Sequence, residues 1–499
     1  MTVYYVSPNG SNSDSGTIDQ PFASLQHAHD LAQPGDEILL RGGTYRLSDG
    51  IRLTNDGTSS EPITVRNYDG EVPVLDGSAM TSDSATGGYV LDLSGVAWNT
   101  VSGLQVTGGP EGGLIIHDNS HDNVIEQLDV SHNGRLSEWE GKGISLFDTS
   151  YNNLLLNNDS HDNRDLNLDN ADGFQISTSG AGNVLRGNRA YNNSDDGFDL
   201  FNVFDGTDAG SVVLDQNWAF HNGYADGDEP AGDGNGFKLG GQRAGSGGTS
   251  GGHTVTNNIA YGNRGSGFDE NEATDPLTLT NNTAYDNASY NFGFYEGENL
   301  FENNLSLGTG RVSASGSGSN NSWDLDDAAG LGDLPSQFDP SLLDAERGGN
   351  GGLPSSLVAS IDESAGLLLG AVVPAASEPG SAGSGASGPI ASEPVVSEPS
   401  AAQPAAPTQP VASPSAPSGG SQNFDDDVAL VNGNDGATAE TGNTPRPETE
   451  SDWHGWRHGG HHDGQWGHRG WDGEASQSWH DAAAHASGSQ DIFAGSLPG

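Results

Sequence analysis

The 499-residue chain contains no cysteine and only two lysines, Lys142 and Lys238. The missing thiol excludes a disulfide scaffold, a thiolate zinc site and a cysteine nucleophile. Positive charge is scarce throughout: 17 Lys plus Arg stand against 69 Asp plus Glu, a formal charge of −52. Such a surface repels nucleic acid and anionic membranes, so neither is an expected partner. No apolar run approaches the roughly 20 residues of a spanning helix. Met1 to Gly10 lacks the basic start and apolar core of a secretory signal peptide. What the chain does have is glycine, 75 residues of it, and 24 prolines, and these are unevenly placed.

Ten of the 24 prolines fall between Pro374 and Gln422, a stretch rich in Ser, Ala and Gly with no apolar period. That composition cannot offset its ordering entropy and reads as a disordered linker. From 423 to 499 a tail follows, acidic at first and then carrying five of the nine Trp and seven of the 15 His. Its imidazoles could bind a divalent metal and its indoles could stack on sugars; a low-complexity extension with neither role fits equally. The fold is expected in residues 1–373.

That region repeats. The runs NVIEQLDVSHNG (123–134), NLLLNNDSHDNR (153–164), NVLRGNRAYNNS (183–194), VVLDQNWAFHNG (212–223), HTVTNNIAYGNR (253–264), LTLTNNTAYDNA (277–288) and NLFENNLSLGTG (299–310) share one pattern. A short β-prone run is followed by Asn, a small residue, often an aromatic, and a second Asn. The first Asn recurs at 158, 188, 217, 258, 282 and 304, and the second at 133, 163, 193, 222, 263 and 287. A Gly-Ile or Gly-Phe pair runs in phase with them, at 143, 173, 197, 236, 267 and 293. Short alternating runs argue strands, and a period in the twenties argues a solenoid in which each coil buries its rung against its neighbours. Asn tolerates a left-handed turn and its amide can hydrogen-bond along a column, which explains a fixed Asn. The segment 21–45 predicts a cap, with a short amphipathic helix from Phe22 to Ala32 and then a strand, because an open solenoid end exposes apolar surface. The fold class is therefore all-β, a parallel β-helix with an N-terminal capping helix.

Stacking turns the repeat into a map. With the Gly-Phe pairs in register, one column reads Lys142, Asp172, Asp196, Asn235, Ser266, Phe292. Another reads Ser145, Gln175, Asp199, Lys238, Asp269, Tyr295. Adjacent coils lie about 4.8 Å apart, so Asp172 and Asp196 are neighbours, with Asp195 beside them and Lys238 one coil beyond Asp199. Crowded carboxylates repel unless a cation sits among them, and an all-oxygen, highly charged set suits Ca²⁺ better than Mg²⁺. A solvated acidic face is the bland alternative. Lys238 beside such a cluster is either a base whose pKa a bound cation would lower or a structural ion pair to Asp199. The loops 223–235 and 240–252 account for the one long step in the repeat and are placed to build a binding face. Arg243 in the second loop is a candidate for holding a substrate carboxylate, or a plain surface arginine. Lys142 is a candidate subsite residue, or an ordinary surface lysine.

The strings ADGF (171–174), SDDGFDL (194–200) and NGFKLGG (235–241), on an Asn-ladder solenoid, resemble polysaccharide lyase family 9. The resemblance spans residues 1–373, including the YYVSPNGSNSDSGTIDQPFASLQHA start and the DPSLLDAERGGNGGLPSSL stretch at 339–357. It implies a right-handed parallel β-helix that cleaves pectate by β-elimination, with Ca²⁺ as cofactor and a lysine as base. Matched position by position, it implies Asp172, Asp195, Asp196 and Asp199 as Ca²⁺ ligands and Lys238 as the base. The chain departs from the family pattern in its acidity, in its linker and tail, and in showing no N-terminal export signal. The expected protein is a secreted monomer acting on an acidic polysaccharide, exported through a C-terminal signal. Two other readings stand beside it. One is a lyase or C5-epimerase on the same fold acting on another uronan such as alginate, or a lyase for another acidic polymer, although no Asp-Pro-His-Asp string of the kind alginate epimerases carry is present. The other is a non-catalytic, Ca²⁺-stabilised adhesin or glycan-binding solenoid.

Overall fold

The computed structural model describes residues 1–324 other than 139, 140, 205, 243–246 and 274, together with 343, 345–348 and 351–353. The linker, the His/Trp-rich tail and Arg243 lie outside the described residues.

The strand pairings between successive coils are all parallel. Each coil contributes a strand to three faces. The first face stacks Gly112–His117, Lys142–Asp148, Phe174–Thr178, Phe198–Asp199, Phe237–Lys238 and Phe268–Asp269. The second stacks Val124–Glu126, Leu154–Leu156, Asn183–Arg186 and Val212–Asp215, and the third stacks Asp129–Ser131, Asp159–His161, Arg189–Tyr191 and Trp218–Phe220. The third face forms a separate sheet of ten strands. This is the parallel β-helix that the repeat predicts.

Short coils hold because their corners are bonded along the axis. Asn188 donates from its backbone N and its Nδ2 to Oδ1 of Asn217, both at 3.0 Å, and from Nδ2 to the carbonyl of Leu155 at 2.9 Å. Its own Oδ1 accepts the same pair from Asn158 at 2.9 and 3.0 Å. The column continues through Asn258, Asn282 and Asn304 to Asn321, where the carboxylate of Asp324 takes the last amide. The second column runs from Asn133 through Asn163, Asn193, Asn222, Asn263 and Asn287. A third column, Asn99, Asn123, Asn153 and Asn183, heads the second face. One part of the sequence reading needs correction here. The ladder asparagines are not the left-handed residues; their predecessors are, at Asn157, Asn192, Gln216, Asn257 and Asn281, with φ between 54° and 60°. Turning and stacking are divided between two adjacent positions.

Inside the first face, the rings of Phe174, Phe198, Phe237, Phe268 and Phe292 stack with centroids 4.8 to 5.0 Å apart. The glycine before each of the first four rings lies against the second Asn column. A Cβ on Gly197 would come within 2.8 Å of Asn222 Nδ2 and 2.7 Å of the Gly236 carbonyl oxygen. That close approach keeps the two patterns in phase. The last rung departs from the expected register: Phe268 pairs with Phe292 and Asp269 with Gly293, so Phe294 and Tyr295 sit two residues past the assigned positions. Asn291 causes the shift. It closes the second Asn column only four residues after Asn287 and puts Phe292, not Phe294, into the stack.

The N-terminal helix spans Leu25–Leu31, with Ser24 Oγ accepting from the His27 N–H as its cap. It buries Leu25, Ala28 and His29 over the first coils, and His29 Nε2 meets Asn99 Oδ1 at 3.1 Å, closing the start of the third Asn column. Replacing one ladder amide in mid-column strands its neighbours' donors. Asn217→Ala is expected to cost on the order of 3–5 kcal/mol, read as a lowered urea midpoint at unchanged m-value.

Candidate active site

The outward side of the first face carries the charged residues. Asp199 pairs with Lys238 across adjacent coils, and Lys238 with Asp269 across the next. One coil earlier Asp172 lies beside Asp196, whose N–H donates to Asp172 Oδ1 at 3.0 Å. Lys238 Nζ stands 3.1 Å from Asp196 Oδ2, 4.0 Å from Asp199 Oδ2 and 3.5 Å from Asp233 Oδ2. The stack thus brings Asp172, Asp195, Asp196, Asp199 and Lys238 into one neighbourhood.

The carboxylates form two overlapping groups. Asp172, Asp196 and Asp199 place ligand-capable oxygens within 4.8 Å of one another, and so do Asp195, Asp196 and Asp233. Asp196 belongs to both. Asp233 is invisible to the ladder reading because it sits in the loop 223–235, where no rung fixes a position. Its backbone N–H donates to Asp195 Oδ1, which folds the loop back over the cluster.

Lys142 is not a surface lysine. Its side chain is 1% exposed, and Nζ donates to Asp172 Oδ2 at 2.8 Å and to Asn170 Oδ1 at 2.9 Å. It is an internal counterion to Asp172, one coil below the cluster. The column spacing encodes its place beside Asp172 but not its burial.

Burial dominates the electrostatics. Desolvation raises Asp172 to about 6, against the opposing pull of Lys142. It raises Asp196 to about 7 although Lys238 counters it, and the Asp195 carboxyl is pushed well up by burial and then by Asp196. Burial alone would lower Lys238; the charges of Asp196, Asp199, Asp195 and Asp233 outweigh it and hold the ammonium well above its ordinary value. Without a cation, therefore, the cluster keeps protons on carboxyls and on its lysine.

The donor set fits a hard divalent cation. The ligand atoms are oxygens, and buried Asp196 Oδ2 accepts no aligned hydrogen bond although it faces the cluster. High carboxylate count with flexible geometry matches Ca²⁺ more closely than Mg²⁺. Asp172, Asp196 and Asp199, with Asp195 on the adjoining side, are the residues that would hold it.

The family described as "Pel9A-like, right handed beta helix region" matches residues 4–304. Pectate lyase L of Dickeya dadantii (strain 3937) is 34% identical over 71% of this chain and 82% of its own length. Pectate lyase PEL9 of Emericella nidulans is 34% identical over 70% and 90%. Among solved structures, pectate lyase Pel9A superposes with a TM-score of 0.62 at 31% identity, covering 76% of this chain and 90% of that one. A rhamnogalacturonan lyase superposes with a TM-score of 0.63 at 26% identity, covering 74% and 100%. The chain belongs to polysaccharide lyase family 9 and is a right-handed, pectate-lyase-type enzyme.

Two outcomes follow from the site. Lys142→Met leaves Asp172 buried without its counterion, at an expected cost of about 3–5 kcal/mol in chelator-treated protein. The raised carboxyls set a pH dependence. Asp172 and Asp196 keep protons in the folded state that the unfolded chain has already released. Stability present at acid pH is therefore lost as pH rises through about 6 and 7, and the melting temperature of the chelated protein should fall across that window.

Proposed function

We propose that the chain is a secreted, Ca²⁺-dependent lyase that cleaves pectate by β-elimination, with Lys238 as the base and Asp172, Asp195, Asp196 and Asp199 as the metal ligands. The observation that carries this reading is the Lys238 amine, 3.1 Å from Asp196 on the outward side of the coil after Asp199. Both sequence relatives and one of the two solved structures are named pectate lyases, which supports the choice of polymer; the other structure is a rhamnogalacturonan lyase.

The C5 proton of a uronate is weakly acidic, so removal needs a base within reach and stabilisation of the charge left behind. Bound Ca²⁺ would supply positive charge to the substrate carboxylate and the enolate-like state, and would remove the carboxylate field that keeps Lys238 protonated. Lys238, once neutral, takes the C5 proton. The C5–H electrons become the C4=C5 double bond as the C4–O bond breaks, and the departing oxygen takes a proton from water. Lys142 stays charged beneath Asp172 and offsets part of the cluster's repulsion. The loop at Asp233 covers the amine from the solvent side.

The test is absorbance of the unsaturated uronide while the full chain meets polygalacturonate. The expected trace rises with Ca²⁺ and stops with chelator, and Lys238→Ala lowers the rate by about 10²–10⁴-fold. Retention of most activity by Lys238→Ala sinks the assignment of the base. A rise on rhamnogalacturonan but not on polygalacturonate moves the substrate and leaves the chemistry. Calcium affinity is expected to strengthen as pH is raised, because binding must displace protons from Asp172 and Asp196.

A further inference from the structure

Resting on that reading, we infer that the outward face beyond Lys238 carries a uronate-binding subsite built from Tyr290, Tyr295 and Arg311. Three successive register steps place it: Lys238 pairs with Asp269, Asp269 with Gly293, and Tyr290 with Arg311 on the next coil. Arg311 thus lies three coils from the base, about 14 Å at the strand spacing of ~4.8 Å. A polysaccharide laid along the helix axis through the site meets it several sugars away from the bond that breaks.

Residue 293, beneath this stretch, is a buried glycine with little room for a side chain. A Cβ there would stand 3.2 Å from Asp269 Oδ2 and 3.4 Å from both Ser266 Oγ and Tyr290 Cβ. The exposed side of the stretch is aromatic. The Tyr290 and Tyr295 rings meet edge to face at 5.5 Å, and Tyr295 is 53% exposed. An exposed ring is left that way by most folds only singly, but this one is held rigid. Glu270, 3% exposed, accepts the backbone N–H groups of Tyr295 and Glu296 and clamps the turn that presents the ring. An immobilised ring with a polar edge loses little entropy when a sugar stacks on it.

Arg311 supplies the charge. Its guanidinium lies 4.1 Å above the Tyr290 ring, and among the described residues no carboxylate comes within ion-pair distance of it. Arg41, Arg52, Arg186 and Arg189 are by contrast each neutralised by a carboxylate. Asp269 puts negative charge beside the platform, so a polyanion is held there only where its carboxylate reaches Arg311. The planar fork suits a carboxylate bidentately. The ligand class is a uronate residue, its ring against Tyr295 and its carboxylate on the guanidinium.

The experiment is calorimetric titration of the full chain, with Lys238→Ala present throughout so that the oligomers are not cleaved, in Ca²⁺, with hexagalacturonate and with trigalacturonate. The chain otherwise wild type is compared with Arg311→Ala, Arg311→Lys and Tyr295→Ala, and melting temperatures confirm that all fold. Arg311→Ala is expected to weaken the hexamer by about tenfold and to collapse the preference for hexamer over trimer, with Arg311→Lys intermediate. Hexamer affinity equal to that of the otherwise wild-type chain in both Arg311→Ala and Tyr295→Ala overturns the subsite. So does equal weakening of hexamer and trimer, or no hexamer binding to the otherwise wild-type chain. The lyase reading is judged separately, by turnover in wild type and its loss in Lys238→Ala, so either idea can fail without the other.

Discussion

The hydrogen bond from one asparagine side chain to the next is the constraint on which the remaining geometry depends. Each amide is satisfied on both ends only when the following coil repeats the turn in register, as Asn188 shows between Asn158 and Asn217. The bond length then dictates the rise per coil, and everything on the outer surface inherits it. The ring stack, the Gly-Phe pairs and the carboxylate columns are spaced by the same interval. A site assembled from Asp172, Asp196 and Lys238 therefore requires no precise loop; three consecutive coils suffice.

That dependence explains what the sequence reveals and what it hides. The two asparagine columns, the Phe rungs and the Asp199–Lys238 juxtaposition are legible because each is a repeat of local spacing, and stacking converts spacing into contact. The column through Asn123, Asn153 and Asn183 is equally periodic, standing at the head of three repeat runs, yet it is overshadowed by the Asn pairs that follow. The last rung misleads because Gly-Phe recurs at 293 while Asn291 has already ended the column. The burial of Lys142 and the approach of Asp233 are not periodic properties at all. One depends on how a corner packs and the other on how an insertion folds back, and neither leaves a trace in residue spacing.

The site is electrostatically unfinished as a protein alone. Its buried carboxyls are forced toward the neutral form, and its two lysines are spent as counterions, Lys142 to Asp172 and Lys238 to Asp196. A cation that entered would change the protonation of both partners of the second pair at once. Buried charge of this kind contributes little to stability and is better understood as a reservoir of reactivity. The −52 charge of the chain places the same tension on a larger scale, since the pectate that its relatives are named for is itself anionic. Attraction then has to come from a few fixed points and not from the general field.

The scarcity of lysine carries a practical corollary for anyone handling this molecule. The sequence offers two side-chain amines, Lys142 with a 1% exposed side chain and Lys238 at 13%. Acylating and reductively alkylating reagents need a free amine, so Lys238, held protonated by the carboxylates around it, should react with them only when that field is neutralised. Mass-spectrometric readout of an adduct at Lys238 would then follow the state of the cluster directly.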